Sequence, residues 1–258
     1  MPDIDTDLHV KMLKAYMRDA LFMNDAIKRG YATRDDMIKA VRSGKLPHQV
    51  VENGRTLIKI ADLEQVFGKP RSAIYGMQWG DPDTVPPLLY VKQTYVLPYV
   101  KPEHVGLEIG PGGGRWTQYL LPMKKLYVVD HYQELLDALQ RQINAPNLVS
   151  ILNSGTDFPG VGDEEIDFLF SFGVFVHLDP HVIESYLKNM WRILKPEGVA
   201  FIQYSDKTKI MARINNSFVD TTTESMREMV RDAGYEIILE DNTTLWHSNV
   251  VIFRRGSR

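Results

Sequence analysis

The sequence predicts an α/β protein: a seven-stranded, mostly parallel, doubly wound sheet with a reversed last strand, preceded by a small N-terminal α+β domain. Three observations lead there. First, Val105-Gly106-Leu107-Glu108-Ile109-Gly110-Pro111-Gly112-Gly113-Gly114-Arg115-Trp116 reads as a buried strand, a glycine-packed turn and a helix start. Second, apolar runs and helical patterns alternate from there to Arg254, the signature of a parallel sheet. Third, the last two apolar runs are joined by Asn242-Thr243-Thr244, a connection tight enough to make them antiparallel.

Composition narrows the class. The chain has 258 residues, is 44% hydrophobic and 24% charged, and carries a net charge of −3. That length suits one large domain with a small one, and the charge implies no general affinity for polyanions. No signal-peptide pattern precedes the first helix. The most apolar run, 168–176, is too short to cross a bilayer. A cytoplasmic protein without membrane contact is therefore expected. The absence of cysteine excludes disulfides, thiolate metal sites and cysteine-bound iron–sulfur clusters, and no metal site is expected.

In chain order, residues 8–28 carry apolar positions at helical spacing, with Gly30 as the stop. A second helix starts near Thr33, with Asp35 and Asp36 in its first turn, and stops at Gly44. His48 to Glu52 and Arg55 to Ile60 flank Asn53-Gly54, a strong hairpin signal. A short helix over Asp62 to Phe67 completes a domain of residues 1–70. Residues 71–100 read as a proline- and glycine-broken linker with a lead-in helix over Tyr90 to Val100. Trp79, within this linker, is expected to be buried.

The third domain spans 101–258, with strands near 105–110, 126–130, 148–152, 166–171, 198–204, 235–241 and 245–254. Helices are expected near 115–121, 132–142, 180–194 and 222–233. Asp179-Pro180 is a helix start, Thr221-Thr222-Thr223-Glu224 reads as a capping box, and Gly234 as a stop.

The glycine turn has a chemical reading. Asp130 follows Gly110 by twenty residues, at the end of the second strand. This layout suits an adenosine-containing cofactor, whose ribose hydroxyls such an acid accepts. A nicotinamide dinucleotide is one candidate, on a G-x-G-x-x-G turn. The pattern here, Glu108-x-Gly110-x-Gly112-x-Gly114, resembles motif I of the class I S-adenosylmethionine (SAM) methyltransferases instead. Ile166 to Phe172 resembles the fourth strand of that family, and Ile193-Leu194-Lys195-Pro196-Glu197-Gly198 its turn before strand five, with Glu197 departing from the usual glycine. The reversed final strand agrees with that family and not with nicotinamide domains.

The resemblance implies SAM as cofactor and S-adenosylhomocysteine as product. It implies that Glu108, Gly110, Pro111, Gly112 and Gly114 wrap the methionine part, with Asp130, His131 and Tyr132 at the ribose. Thr156, Asp157 and Phe158 are expected near the adenine, and Ser171 begins the stretch to His177 where the methyl is presented. For a hydroxyl acceptor a proton-removing base is needed. His177, His247 and Asp206 are the candidates, Asp206 also as a partner to a histidine or to a metal. Ser171-Phe172-Gly173-Val174 stands where amino-methylases of DNA carry an Asp/Asn-Pro-Pro-aromatic motif, which disfavours that activity. The stretches SFGVFVHL, IQYSDK and WHSN resemble bacterial methyltransferases of sugar or secondary-metabolite modification. O-methylation of a small polar acceptor, such as a saccharide, is the expectation.

The order of elements in residues 1–70 resembles the winged-helix modules of excisionase and MerR-like DNA binders. Eight lysines and arginines face three acids from Ala26 to Ile60. That charge is modest for phosphate binding. A domain that shapes the substrate pocket or makes a homodimer is preferred, with a nucleic-acid methyltransferase docking through 26–60 as the alternative. A SAM-binding regulator without catalysis is the other rival.

Overall fold

A computed structural model describes residues 49–52, 55–58, 76 and 79–256 of the chain. The chain divides into two compact units, 1–80 and 81–258. In the first unit, β1 (Gln49–Glu52) and β2 (Arg55–Ile58) form the antiparallel hairpin expected around Asn53-Gly54. The expected helices over 8–28, from Thr33 to Gly44 and from Asp62 to Phe67 lie outside the described residues. So does most of the segment considered for nucleic-acid docking, and with it the winged-helix reading. Trp79 is 52% exposed, which corrects its expected burial.

The second unit is built on a seven-stranded sheet. Its strands are β3 (Val105–Ile109), β4 (Lys125–Asp130), β5 (Leu148–Leu152), β6 (Ile166–Ser171), β7 (Leu194–Ser205), β8 (Tyr235–Asp241) and β9 (Ser248–Arg255). They lie in the order β5-β4-β3-β6-β7-β9-β8. The pairs β4–β5, β3–β4, β3–β6 and β6–β7 are parallel, whereas β9 runs antiparallel to both β7 and β8. The reversed strand thus slots between its two predecessors. Its amino end therefore lies at the same edge as the carboxyl ends of the others.

Helices cover both faces: α1 (Pro86–Val91), α2 (Thr117–Leu120), α3 (Gln133–Gln142), α4 (Pro180–Ile193), α5 (Ile210–Arg213) and α6 (Thr223–Asp232). Strand residues alternate between them, as the period of two requires. Tyr127, Val129, Ala200, Ile202, Val251 and Phe253 pack with Ile183 and Leu187 of α4 and Met226 and Val230 of α6. Leu126, Val128, Phe201, Val250 and Ile252 pack with Val91, Trp116, Leu120 and Leu139 on the opposite face.

Several element ends differ from expectation. The lead-in helix begins at Pro86, not Tyr90, and winds on through a π turn (Lys92–Val96) and a 3₁₀ turn (Leu97–Tyr99). Pro86 starts it because a first-turn N–H has no helical partner to lose. Leu88, Val91, Tyr95 and Val96 are buried in the sheet's core, so this helix belongs to the second unit. Strand β7 begins at Leu194, where Leu194 pairs with Ile166 and Val199 with Phe168, leaving a bulge between. A Cβ on Gly198 would lie 2.6 Å from the Ile166 carbonyl oxygen, so the bulge needs glycine there. The cap of α6 joins Thr222 to Ser225, not Thr221 to Glu224; each side chain accepts from the other's backbone N–H. Among the described residues no helix is long and apolar enough to cross a membrane.

Candidate functional site

Ligands of open α/β sheets bind beyond the carboxyl ends of the strands. At the β3 end, Gly110, Gly112 and Gly114 adopt φ of 71°, 54° and 95°, a left-handed region that side chains avoid. The turn is closed by Gly110 N–H donating to the Val129 carbonyl and Gly114 N–H to that of Pro111. The space beside two of these glycines is taken by the protein itself. A Cβ on Gly110 would sit 2.2 Å from Val174 Cγ2, and one on Gly114 2.6 Å from Ile143 Cδ1. The two glycines thus fit the turn against its neighbours. Pro111 lies inside the turn.

Glu108 points to the face covered by α2 and is buried. Its carboxyl accepts the Thr117 hydroxyl at 2.6 Å. Burial pushes it up to about 8, against the pull of the Thr117 bond and the Arg115 charge, while Asp130 pushes it further. Asp130 ends β4 and accepts Tyr132 N–H at 3.0 Å. Burial raises its pKa although backbone donors from Tyr132 and His131 oppose this. His131 and Tyr132 stand edge to face at 5.5 Å, and Tyr132 is 61% exposed at the start of α3.

The residues after β5 are arranged differently from expectation. The Thr156 hydroxyl meets Ser185 and Asn189 of α4. Phe158 is buried in the core, 6.0 Å from the Tyr186 ring. Asp157 accepts the N–H and hydroxyl of Ser154 within its own turn. Thr156 and Phe158 are therefore committed to helix and core packing. Asn153 is the first residue after β5. Its amide donates to the Gly155 carbonyl and the Tyr186 hydroxyl, while its buried Oδ1 has no partner among the described residues. Ser171 is buried and donates to the Ile109 carbonyl, stapling β6 to β3.

Beyond β6 the chain is fastened across the sheet. Gly173 N–H donates to Gln203 Oε1 at 2.7 Å, and Gln203 Nε2 to Ser248 Oγ at 2.6 Å. His177 is exposed, and its Nδ1 lies 2.7 Å from the Ser217 carbonyl. Because a carbonyl only accepts, Nδ1 is the donor in this pair, and Nε2 is the ring nitrogen the bond leaves unused. Val219 N–H donates to the Val176 carbonyl alongside. The Phe218 ring stands 5.4 Å from His177 and 5.2 Å from His247, both edge to face. The fold thus brings two of the three expected acid–base residues to one phenyl ring.

His247 precedes the reversed strand. Burial, then Lys209, Arg115 and His177, push its imidazole down to about 4, so it is neutral at pH 7. Its Nδ1 is buried with no hydrogen-bond partner among the described residues. Lys209 is fixed nearby by donating to the Leu245 and Ser248 carbonyls. Arg115 is buried, its guanidinium 5.4 Å from the Phe172 ring and 5.8 Å from that of Trp116.

Asp206, the third candidate, has another task. Its carboxylate accepts Thr208 N–H and hydroxyl, the Thr223 hydroxyl and Asn249 Nδ2. Burial opposes its ionisation, yet these bonds hold its pKa below the usual value. Committed to four donors, none a histidine, it ties β7 to α6 and β9. Both of its oxygens are thereby engaged. Among the described residues no cluster of three histidines or acids suits a metal.

Residues 107–202 match the family model of a methyltransferase domain. No curated protein matches the sequence at a significant level. Among solved structures, a SAM-dependent methyltransferase from Mesorhizobium loti aligns with 67% of this chain and 100% of its own at 10% identity, with a TM-score of 0.57. A Pyrococcus horikoshii protein aligns with 70% of this chain and 96% of its own, at 13% identity and a TM-score of 0.57. A SAM-dependent methyltransferase from Clostridium acetobutylicum covers 59% and 84%, at 12% identity and 0.51. At such identities the likeness is one of fold. Residues 107–202 are thus similar in sequence to a methyltransferase domain, and the sheet that carries them has the fold of the SAM-dependent methyltransferases it aligns with.

Proposed function

We propose that the chain is a SAM-dependent methyltransferase that methylates a hydroxyl of a small polar acceptor, with a saccharide among the candidates. The methyltransferase-domain match over 107–202, lying on the strand ends just described, carries the first part. The bond from His177 Nδ1 to Ser217 carries the second.

The residues at the β3–β5 end fit the cofactor chemically. Asp130 offers a carboxylate to ribose hydroxyls, and the buried Asn153 Oδ1 offers an acceptor to a donor such as an exocyclic amine. Glu108, in the motif I position, faces the amino end of the methionine part. SAM supplies a methyl group already activated by its positive sulfonium. The chain's own task is to hold the acceptor in line and to take its proton. His177 Nε2 takes that proton, while the Ser217 carbonyl holds the ring through Nδ1–H. His247, neutral on the far side of Phe218, supplies a second acceptor or donor for the substrate's hydroxyls.

Calorimetry with S-adenosylhomocysteine tests the cofactor, and release of S-adenosylhomocysteine across a panel of hydroxylated acceptors tests the reaction. Asp130→Ala should weaken S-adenosylhomocysteine binding by roughly 1–3 kcal/mol, the range for a lost charged hydrogen-bond acceptor. Unaltered affinity would remove Asp130 from the ribose. Turnover with any acceptor would eliminate a purely regulatory role.

A further inference from the structure

Strand β7 sends Val199, Phe201 and Gln203 to one side of the sheet, since its side chains alternate with a period of two. Phe201 packs there with Val250 and Ile252 of the neighbouring β9. Gln203, only 1% exposed, stands in the same apolar row. A leucine would suit that row better, because burying an amide costs free energy unless its polar ends are bonded. Both ends of this amide are bonded. Its Oε1 accepts Gly173 N–H at 2.7 Å, and its Nε2 donates to the buried Ser248 Oγ at 2.6 Å.

The two partners belong to the stretches that carry the histidines. Gly173 precedes His177 in the loop that leaves β6, and Ser248 follows His247 and opens β9. Each stretch has other holds. The Val176 carbonyl accepts Val219 N–H, and His177 Nδ1 meets the Ser217 carbonyl. Lys209 Nζ donates to the carbonyls of Leu245 and Ser248. Those bonds tie each stretch to the segment between β7 and α6. Gln203 ties the two stretches to each other, from a strand in the interior of the sheet. Gly173 has no side chain to anchor it, so the amide takes hold of its N–H.

We infer that Gln203 is a positioning residue, which sets the spacing between the His177 loop and the His247 end of the reversed strand. This rests on the methyltransferase reading, in which His177 takes the proton and His247 bonds the acceptor's hydroxyls, and adds to it a residue that acts through both. An acceptor held between two groups reacts fast only when both stand at the right separation. A displacement of about 1 Å can cost on the order of 10²-fold in rate. The planar amide fixes that separation by gripping one backbone N–H and one side-chain hydroxyl at once.

Ser248→Ala tests this from one end, because it removes the Nε2 partner without touching the β6 loop. In the S-adenosylhomocysteine-bound protein, followed by NMR, it should shift the ring signals of His177 as well as those of His247. Amide exchange at Gly173 should quicken about threefold to tenfold, the factor for one lost hydrogen bond. Gln203→Leu should do the same, and adding Ser248→Ala to it should change nothing further. Gln203→Glu should restore the wild-type signals, since a carboxyl group can accept Gly173 N–H and bond the Ser248 hydroxyl in either protonation state. With the hydroxylated acceptor that releases most S-adenosylhomocysteine, Ser248→Ala should lower kcat about tenfold or more while KM stays unchanged. A misfolded Gln203→Leu leaves the Ser248→Ala arm intact. His177 signals and Gly173 exchange unmoved by Ser248→Ala overturn the inference, and so does full kcat alongside shifted signals. Failure of S-adenosylhomocysteine to bind, or silence of the whole acceptor panel, would instead overturn the methyltransferase reading.

Discussion

At the β3–β5 end of the sheet's edge, the chain presents a backbone turn and strand-end polar groups close together in sequence: Glu108, the glycines to Gly114, Asp130 and Asn153. At the β6–β9 end it presents side chains from three distant stretches: His177, Phe218 and His247. The first half is made by local chain geometry. The second exists only because β9 runs backward between β7 and β8, which carries His247 to the edge occupied by the other strands' carboxyl ends. The cofactor half therefore depends on the parallel strands β3 to β5, whereas the acceptor half depends on the reversed strand as well.

If the halves are separable, a change in one leaves the other's function intact. His177→Ala should lower kcat by about 10²–10⁴-fold, the usual contribution of a general base, with S-adenosylhomocysteine affinity unchanged. Steady-state rates beside calorimetry check it. A parallel loss of cofactor affinity would merge the two halves, and full activity would demote His177 to a loop fastener for Ser217.

The backbone-made half should instead fail by misfolding. Gly114→Ala places a methyl 2.6 Å from Ile143 Cδ1 and 2.8 Å from Leu139 Cδ1 at a φ of +95°. Positive φ and overpacking together should cost about 2–4 kcal/mol. Gly155→Ala, where nothing lies within 4 Å, should cost under about 0.5 kcal/mol. Urea midpoints of the two variants test the contrast, and equal midpoints would show that the turn is not packing-limited.

This division also sets what the sequence reveals. The seven strands, the Asn53-Gly54 hairpin and the reversed strand follow from alternation and turn chemistry, which are local. So do Glu108 and Asp130, tied to strand ends by spacing. Thr156 and Phe158 also bond and pack on α4, which the sequence does not announce, since no periodicity says which way a turn's side chains point. Pro86 misleads similarly, since a proline that breaks a helix interior also begins a helix. Asp206 looked like a base because its four donors come from residues 208, 223 and 249. Lys209 and Phe218 carry no motif. Only packing brings them to His247.

The smallest effect concerns Glu108, the residue where the cofactor half is at odds with the fold around it. Its folded pKa is about 8, against 4.5 for the free group. Between those values the unfolded chain has lost the proton that the folded chain keeps. Stability therefore falls as pH rises across that window, and the contribution is complete only below 4.5. Glu108→Gln removes the titration, so the variant should gain stability relative to the wild type on going from pH 5 to pH 8. Urea midpoints of both proteins at the two pH values measure this. The same variant should bind S-adenosylhomocysteine more weakly, because a buried carboxylate is restored to its charged form by the ammonium it faces, and an amide gains nothing from that charge. If the midpoints keep pace across the pH range, the acid is not stored in the protonated form. The cofactor half then costs the empty fold nothing, and the energetic asymmetry between the two ends of the edge disappears.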